Sequence, residues 1–382
     1  MKFKNNILII TSIIEDRAGI EAIKSHFAKY LHDFNVVVID EKQYGAERAA
    51  IRRGRVREKY IQSMPKLYRR FRTAKLVFTG RSTDLSVVRR GRAKKLRGRA
   101  RKIYHAVLRF APDVILVTNP RLLHETIHAK KRTRFKNPVV GMAERFTLDK
   151  SFFNMSADGY IVENPDVKNQ LTALGYSSSR VFVLGFPIME KLPDVDFLIQ
   201  KKEHLGLNMN PTVYLSGGNF GSKELFPVFE LLLDQGTIIN IIVNCGKNEN
   251  LYSLMLRETE KRGAANVKLY LNTDAEIEDT LSATDCLITI YDSALIYRAF
   301  LLGIPTIAYA PDNSADKADL SYLKEKGLIY FAEDYNQVII GMYDVIQTNT
   351  GKKLSEAALL RTRANSLEEI CAELASFSAG RN

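Results

Sequence analysis

Three short turns in the second half of the chain combine glycine with small polar residues in a way that suits a phosphate group. The first turn runs Ser216-Gly217-Gly218-Asn219-Phe220-Gly221-Ser222, directly after an apolar run and before a helix pattern. Glycine permits positive φ and a close approach of the backbone, and the N–H groups that open a helix bind anions. An ordinary strand-to-helix connection favours the same residues. The turn is not a P-loop, because Gly-Lys-Ser/Thr is missing. The candidate ligand residues here are Ser216, Gly217, Gly218, Asn219 and Gly221.

Two later turns occupy equivalent places after apolar runs. In Cys245-Gly246-Lys247-Asn248, the backbone at Gly246 and the side chain of Lys247 are candidates for holding a phosphate. In Tyr291-Asp292-Ser293-Ala294, the helix start at Asp292 and Ser293 suits a diphosphate. Asn or Asp at such a place also serves simply as a helix N-cap. The pattern therefore predicts either a nucleotide diphosphate site or a set of ordinary capped helices.

Apolar runs and helix patterns alternate along most of the chain, which implies parallel sheets with crossover helices. The runs that predict strands are Asn6–Thr11, Asn35–Ile39, Val114–Thr118, Pro138–Gly141, Gly159–Glu163, Val181–Leu184, Thr212–Ser216, Ile238–Asn244, Val267–Leu271, Asp285–Ile290, Thr306–Tyr309 and Leu328–Phe331. The fold class is thus α/β, with two doubly wound Rossmann-like domains facing a cleft. In such sheets, ligands bind beyond the carboxyl ends of the strands, where the three turns lie.

A polar stretch at residues 190–210 separates the two series of strands. We place an N-terminal domain at residues 1–188 and a C-terminal, nucleotide-binding domain at residues 189–352. A last helix pattern, Lys353–Ser376, has no strand after it. Residues 353–382 are therefore predicted to pack back on the N-terminal domain.

Composition indicates a globular protein. Of the 382 residues, 46% are hydrophobic and 26% are charged. No apolar run approaches the roughly eighteen residues that span a bilayer. The apolar N-terminus imitates a signal peptide, but Glu15-Asp16-Arg17 follows it and no cleavage site is present. The cysteines, Cys245, Cys286 and Cys371, are odd in number and far apart, as expected for reduced core residues. We expect a cytoplasmic location, without a disulfide or a metal site.

Positive charge is concentrated in one segment, residues 48–109. It contains 22 Lys and Arg against two acids, whereas the whole chain carries a net charge of +13. Apolar residues such as Tyr60, Leu67 and Phe71 are interleaved with the cations, as in a helix that lies in a membrane interface. Nucleic acid would attract the same charges, but no nucleic-acid motif accompanies them. An anionic membrane surface is therefore the favoured partner of residues 48–109.

Several segments, in order along the chain, resemble one family. Residues 159–164, 174–176 and 181–188 resemble the end of the N-terminal domain of monogalactosyldiacylglycerol synthases and processive diacylglycerol glucosyltransferases. Residues 60–70, 111–115 and 245–248 are similar to further segments of that family. The resemblance implies the glycosyltransferase B fold, an acceptor on the N-terminal domain and a UDP-sugar on the C-terminal domain. It also implies inverting sugar transfer to a lipid hydroxyl with no cofactor and no obligatory metal.

The chain departs from that family at several functional positions. Glu15-Asp16 stands where the family has Gly-His, and Asn119 replaces the histidine of a Thr-His-Pro turn. Arg145 and Asp149 correspond to a family Asp and a later His. Arg298 stands in place of the glutamate that holds ribose hydroxyls. Residues 287–312 also resemble the wall-teichoic glycerophosphotransferases, which share the fold and use CDP-glycerol.

An acceptor hydroxyl needs a general base while the diphosphate departs. Asp16 is the first candidate base and Asp149 the second, since burial or a neighbouring acid can raise the pKa of a carboxylate. Asp16 also suits the N-cap of the helix pattern Ala18–Leu31.

Two further sets of residues in the C-terminal domain are candidate ligands. Lys247 and Arg298 are candidates to neutralise the diphosphate, although a helical Arg is commonly solvated or paired. Asp312 and Asn313 follow the predicted strand Thr306–Tyr309 and stand where the resembling enzymes hold sugar hydroxyls. Loop polarity alone also accounts for that pair.

Three functions therefore stay open from the sequence. The first is a glycosyltransferase at the inner face of the membrane that uses a nucleotide sugar, a UDP-sugar by resemblance, and a lipid or membrane-associated acceptor. The second is a glycerophosphotransferase of cell-wall polymer synthesis that uses CDP-glycerol. The third is a non-catalytic protein of the same fold that binds a nucleotide or a partner.

Overall fold

The computed structural model describes residues 5–12, 18–40, 98–148, 150–188, 195–218, 220–271, 280–309 and 314–379. These residues form two compact units. The N-terminal unit contains the described residues up to 188 together with residues 365–379, and the C-terminal unit contains residues 195–364.

The N-terminal unit is built on a six-stranded parallel sheet in the order β2-β1-β3-β4-β5-β6. Its strands are β1 (Asn5–Ile10), β2 (Phe34–Ile39), β3 (Val114–Val117), β4 (Val139–Met142), β5 (Gly159–Val162) and β6 (Val181–Val183). The helices between them are α1 (Ala18–Tyr30), α2 (Gly98–Phe110), α3 (Pro120–Thr133) and α4 (Pro165–Ala173).

Both faces of this sheet are covered, which is why its strands are apolar throughout. In β1, alternate side chains point to opposite faces. Leu8 and Ile10 join the core that includes residues of α2, α3 and α4. Ile7 and Ile9 join the core on the other face, which includes residues of α1. All four side chains are at most 1% exposed.

The C-terminal unit has a second six-stranded parallel sheet, in the order β12-β11-β10-β7-β8-β9. Its strands are β7 (Thr212–Ser216), β8 (Asn240–Asn244), β9 (Val267–Tyr270), β10 (Cys286–Ile290), β11 (Thr306–Tyr309) and β12 (Tyr330–Ala332). Its described helices are α5 (Val195–His204), α6 (Leu225–Leu233), α7 (Glu249–Arg262), α8 (Ser293–Leu301), α9 (Ser314–Glu325), α10 (Tyr335–Gln347) and α11 (Asn349–Leu359).

The C-terminal end of the described chain differs from the single helix pattern Lys353–Ser376. Two helices stand there, α11 and α12 (Ser366–Ala379). Helix α12 contacts α1, β1 and β3 of the N-terminal unit. Its side chains Leu367, Ile370 and Leu374 are at most 3% exposed and lie in the core shared with α1. Residues 360–365 between the two helices are not helical.

The architecture confirms the α/β class with two doubly wound domains. Each of the twelve predicted strands is present, with ends shifted by at most two residues. Among the residues described, no helix is long and apolar enough to cross a bilayer. The three cysteines are free and buried. Burial raises the pKa of the Cys245 and Cys371 thiols to about 12, so these groups are inert core side chains at neutral pH.

Candidate functional site

The order of the C-terminal sheet places two of the glycine-rich and polar turns at its topological switch point. From β7 the chain proceeds outward through β8 and β9, and then returns to add β10 on the opposite side of β7. The turn after β7 begins at Ser216, and the turn after β10 contains Asp292. Because β7 and β10 are paired in parallel, both turns leave the same edge of the sheet. Ligands of doubly wound sheets bind at such a crevice.

Contacts between side chain and backbone join all three turns at this edge. A Cβ added to Gly218 would lie 3.5 Å from the Asp292 Oδ2, so the first and third turns are in van der Waals range. A Cβ on Gly221 would overlap the carbonyl of Cys245. The Asn248 Nδ2 donates a hydrogen bond of 2.7 Å to the Gly221 carbonyl. The structure thus brings together residues that are more than 70 positions apart in the sequence.

Hydrogen bonds between residues of the first turn hold its shape. The Gly218 N–H donates to the Ser216 Oγ at 3.2 Å, and the Gly221 N–H donates to the Gly218 carbonyl at 3.1 Å. A Cβ on Gly217 would lie 2.8 Å from the Ser222 nitrogen, so the turn is too tight for a larger residue. Ser216 is 1% exposed. Its hydroxyl accepts a hydrogen bond within the turn, and the ligand contact expected from the sequence stays a prediction.

The second turn is held in a similar way. The Gly246 N–H donates to the Asn244 Oδ1 at 2.8 Å, and the Leu251 N–H donates to the Asn248 Oδ1 at 3.1 Å. Asn248 is therefore the N-cap of α7. Lys247 is exposed at the tip of this turn, where its ammonium can approach an anion.

The third turn is a capped helix start with backbone donors that the helix itself does not use. The Asp292 Oδ1 accepts a hydrogen bond of 3.1 Å from the Leu295 N–H and caps α8. The N–H groups of Ser293 and Ala294 belong to the first turn of that helix, which has no partners for them within the helix. A helix start of this kind carries a partial positive charge. It offers the clearest anion-binding geometry among the residues described.

Arg298 lies on α8 beside a group of polar side chains that the sequence did not single out. Burial raises the pKa of the Tyr214 hydroxyl to about 12. Hydrogen bonds with Asn244 and Thr280 and the charge of Arg298 act in the opposite direction on that pKa. Arg298 is half-buried, and its charge acts on the Tyr214 hydroxyl of β7.

Two buried carboxylates stabilise the region around the third turn, and neither was predicted. The Tyr291 hydroxyl donates to the Asp319 Oδ2, and Asp319 on α9 is fully buried. The Tyr335 hydroxyl donates to the Glu224 Oε2, next to the start of α6. These pairs join residues 28 and 111 positions apart, so no local sequence pattern indicates them.

In the N-terminal unit, polar residues follow β1 and β3 at the switch point of that sheet. The Thr118 Oγ1 donates to the Thr11 Oγ1 at 3.0 Å. Asn119, which replaces a family histidine, is the N-cap of α3, and its Oδ1 accepts from the Leu122 N–H at 3.1 Å. The side chain at this position is therefore used to start a helix.

Glu144 and Glu163 are carboxylates at the same edge that the sequence did not identify. Glu144 follows β4, and its Oε1 lies 3.2 Å from the position of a Cβ on Gly19, in the first turn of α1. Glu163 follows β5, is 7% exposed and accepts a hydrogen bond from the Asn164 Nδ2. Glu163 is the last residue of the predicted strand Gly159–Glu163, and Glu144 lies three residues after the predicted strand Pro138–Gly141. Their places at or near the carboxyl ends of strands are the signal that would have found them.

Several predicted site residues lie outside the described residues. These are the candidate bases Asp16 and Asp149, together with Asn219, Asp312 and Asn313. Most of the basic segment, residues 48–97, lies outside them as well.

The described end of the basic segment forms α2, whose two faces differ. Its apolar side chains Ala100, Ile103 and Val107 are buried in the unit. Arg101, Lys102 and Arg109 are exposed. This part of the segment therefore presents charge to the outside, while its apolar face packs against the protein.

The N-terminal unit matches a known protein family. A family model described as monogalactosyldiacylglycerol (MGDG) synthase matches residues 16–188. Residues 16–188 are thus similar to the MGDG synthase family. The matched range covers the N-terminal unit except for the first strand and α12.

Curated proteins similar to this chain include two bacterial proteins that carry the same name. Processive diacylglycerol beta-glucosyltransferase of Bacillus pumilus is 27% identical over 239 residues, which is 62% of this chain and 61% of that protein. The protein of the same name from Bacillus cereus is 27% identical over 232 residues, or 59% and 58% of the two chains. The chain thus aligns with about three fifths of the length of these relatives.

Solved structures similar to this protein cover almost the whole chain. MurG of Acinetobacter baumannii superposes with a TM-score of 0.63 at 10% identity, covering 97% of this chain and 99% of MurG. HepE of Anabaena in complex with UDP-glucose has a TM-score of 0.55 at 13% identity, with 97% and 99% covered. UDP-GlcNAc 2-epimerase of Neisseria meningitidis bound to UDP-GlcNAc has a TM-score of 0.60 at 12% identity, with 97% and 100% covered. These likenesses confirm the glycosyltransferase B fold.

Proposed function

We propose that this protein is a glycosyltransferase that moves a sugar from a nucleotide sugar to a hydroxyl of a diacylglycerol-like lipid. The observation that carries the proposal is the meeting of the three turns at the switch point of the C-terminal sheet. It stands in a chain whose N-terminal unit matches the MGDG synthase family. The relatives named as diacylglycerol glucosyltransferases suggest the acceptor, and the neighbours bound to UDP-glucose and UDP-GlcNAc suggest a UDP-sugar as donor.

The C-terminal unit is proposed to hold the donor. The N–H groups of Ser293 and Ala294 at the start of α8 would receive the diphosphate, since free amides at a helix N-terminus bind anions. Lys247 is exposed on the neighbouring turn, and Arg298 lies on the same helix. These cations would offset the charge that develops on the leaving diphosphate. Asp312 and Asn313 remain proposed contacts of the sugar hydroxyls.

The N-terminal unit is proposed to hold the acceptor and its base. The acceptor oxygen forms a bond to the anomeric carbon while the bond from that carbon to the diphosphate oxygen breaks. The base accepts the hydroxyl proton, and the nucleoside diphosphate leaves with the electron pair. A single displacement of this kind inverts the anomeric configuration and needs no metal or cofactor. Asp16 and Asp149 remain candidate bases, and Glu144 joins them because it lies at the carboxyl edge of the sheet.

Residues 48–109 are proposed to hold the protein at an anionic membrane surface, where a diacylglycerol-like acceptor resides. The exposed cations Arg101, Lys102 and Arg109 on α2 support this proposal. Each Lys or Arg near an anionic leaflet contributes about 1 kcal/mol at low screening. Association through such charges is reversible with salt.

A transfer assay tests the function. The full chain is incubated with radiolabelled UDP-glucose or UDP-galactose and with vesicles that contain diacylglycerol, and the extracted lipids are separated. We expect a labelled glycolipid. Lys247→Ala should raise the KM for the donor, whereas Lys261→Ala, which removes an exposed cation at the far end of α7, should leave it unchanged.

The other two functions are outcomes of the same assay. Product formed from CDP-glycerol, and from no UDP-sugar, would replace the glycosyltransferase by a glycerophosphotransferase. Binding of a nucleotide in calorimetry without product from any donor would indicate the non-catalytic function.

A further inference from the structure

The carboxylate of Asp292 stands at the point where the proposed diphosphate would bind. Its Oδ1 is fixed by the hydrogen bond of 3.1 Å from the Leu295 N–H. Its Oδ2 faces the first turn, 3.5 Å from the position of a Cβ on Gly218. The residue has an extended backbone with φ −143° and ψ 106°, as N-cap residues do. One oxygen therefore caps the helix start, and the other lies beside the first turn.

This placement brings the Asp292 carboxylate close to the proposed diphosphate, and both groups are negatively charged. The diphosphate would approach the N–H groups of Ser293 and Ala294, which directly follow Asp292 in the chain. The carboxylate already supplies the negative charge that the positive end of α8 attracts. Like charges within a few ångströms repel strongly when they are partly shielded from water. Asp292 therefore opposes the binding of any diphosphate at this turn.

The repulsion is stronger for the product of the proposed reaction than for the donor. The diphosphate of a nucleotide sugar is esterified at both ends and carries two negative charges. A free nucleoside diphosphate has a terminal phosphate whose second pKa is about 6, so it carries nearly three charges at pH 7. The additional charge sits on the phosphate that has lost the sugar. A carboxylate at this place costs the product more binding free energy than it costs the donor.

We propose that Asp292 is a specificity-determining residue of the donor site, which selects the nucleotide sugar over the free nucleoside diphosphate by charge. The inference rests on the proposed function, because it takes a nucleotide sugar as the ligand of these turns. Its consequence is early release of the product diphosphate after transfer. Lys247 and Arg298 still attract both ligands, and Asp292 sets the difference between them.

Asp292→Asn tests this inference, because Asn has the same shape and caps helices as well as Asp does. The dissociation constants of UDP and UDP-glucose are measured by calorimetry at pH 7.5 with EDTA present. A neighbouring charge shifts an equilibrium by about tenfold or more. We expect the variant to bind UDP about tenfold more tightly and UDP-glucose by a clearly smaller factor. Product inhibition by UDP should strengthen accordingly.

Asp334→Asn is the matched control. Asp334 caps α10 through a hydrogen bond of 2.9 Å from the Gln337 N–H, and it follows β12, two strands away from β10. The same charge is removed from the same kind of cap, about 10 Å from the proposed diphosphate. We expect the ratio of the UDP and UDP-glucose dissociation constants to equal that of the unmodified protein. A thermal melt of both variants checks that the fold is retained.

Three results overturn the inference. An unchanged ratio in Asp292→Asn means that the carboxylate does not face the terminal phosphate. Weaker binding of both ligands means that the carboxylate assists binding. No binding of UDP to either the unmodified protein or the variant means that these turns hold no diphosphate. By contrast, the expected ratios without any sugar transfer would leave the inference standing and would remove the proposed catalytic function.

Discussion

At the residue scale, asparagine and aspartate side chains start helices directly after strands in both units. The residues that do so include Asn119, Asn164, Asn248, Asp292 and Asp334. Each accepts a hydrogen bond from the N–H group three residues later, and such a cap contributes about 1 kcal/mol. A side chain used in this way is held in one orientation. The Asn119 side chain is used in this way, and an amide is no general base, so the proposed reaction needs a base at another position.

Glu144→Gln tests the carboxylate that the structure adds to the candidate bases. If Glu144 accepts the acceptor proton, the variant should lose about 10²-fold or more in kcat, with little change in the KM for the donor. The acidic limb of the pH–rate profile should also disappear. The measurement is the initial rate of lipid glucosylation across pH 5–9. Glu21→Gln removes an exposed carboxylate from α1 and should keep the full rate.

Full activity of Glu144→Gln would exclude this residue as the base. Asp16→Asn and Asp149→Asn would then be compared in the same assay, and the one that loses the acidic limb would take the role.

Gly221→Ala tests the close approach of the first two turns. Gly221 has a φ of +63°, and a Cβ there would overlap the Cys245 carbonyl. Gly236 has a φ of +67° with nothing within 4 Å of the added Cβ, so Gly236→Ala isolates the backbone cost of about 1–2 kcal/mol. We expect Gly221→Ala to lower the free energy of unfolding by clearly more than that amount in urea titrations. Equal losses in the two variants would show that the turns are not packed as described.

At the element scale, α12 is distant in sequence from the sheet it covers. Its buried face contributes Leu367, Ile370, Cys371 and Leu374 to the core with β1, β3 and α1. A helix of 14 residues is marginal on its own in water, so its stability depends on this packing. The N-terminal unit in turn depends on residues from the far end of the described chain.

Leu374→Ala measures how much α12 contributes. Leu374 is 0% exposed, and removing a buried leucine side chain costs about 2–5 kcal/mol. We expect the free energy of unfolding of the N-terminal unit, measured by urea titration, to fall by that amount. Leu360→Ala is the matched control, since Leu360 is 87% exposed, and it should change stability by less than about 0.5 kcal/mol. A loss below 1 kcal/mol for Leu374→Ala would contradict the packing of α12.

At the scale of the whole molecule, the charge is divided unevenly along the chain. Residues 48–109 carry a net charge of +20, and the remaining residues carry −7. On α2, where the structure describes this segment, the apolar face is buried and the cations face outward. Contact of α2 with a membrane would therefore be mainly electrostatic, and Leu108, which is 60% exposed, is the large apolar side chain that α2 offers to the surface.

Vesicle flotation tests this membrane contact. The protein should float with phosphatidylserine-containing vesicles at low salt and detach near 1 M salt, where the screening length is about 3 Å. A triple variant with Arg101, Lys102 and Arg109 changed to Gln should bind up to about 3 kcal/mol more weakly. A control triple in the C-terminal unit, with Arg257, Lys261 and Lys352 changed to Gln, should float like the unmodified protein. If both variants floated equally, the three cations of α2 would not form the membrane contact.

The sequence by itself determined the architecture of both units and the location of the three turns. Strands such as Val114–Val117 and Cys286–Ile290 are wholly buried, so their apolar runs are unbroken and their ends are marked by polar residues. The sequence likewise indicates where helices begin, because Asn and Asp favour the N-cap and Pro favours the first helical position. The family resemblance was also contained in such local segments, and the match to residues 16–188 confirmed it.

Only the tertiary structure decided which groups meet. The single helix predicted from Lys353 to Ser376 is two helices, and the second belongs to the N-terminal core. The approach of the Asp292 carboxylate to Gly218, the Tyr291–Asp319 pair and the position of Glu144 near Gly19 all join distant parts of the chain. Strand order creates these contacts, because it determines which carboxyl ends are neighbours. Strand order in turn depends on the packing of whole helices, which no local run of residues encodes.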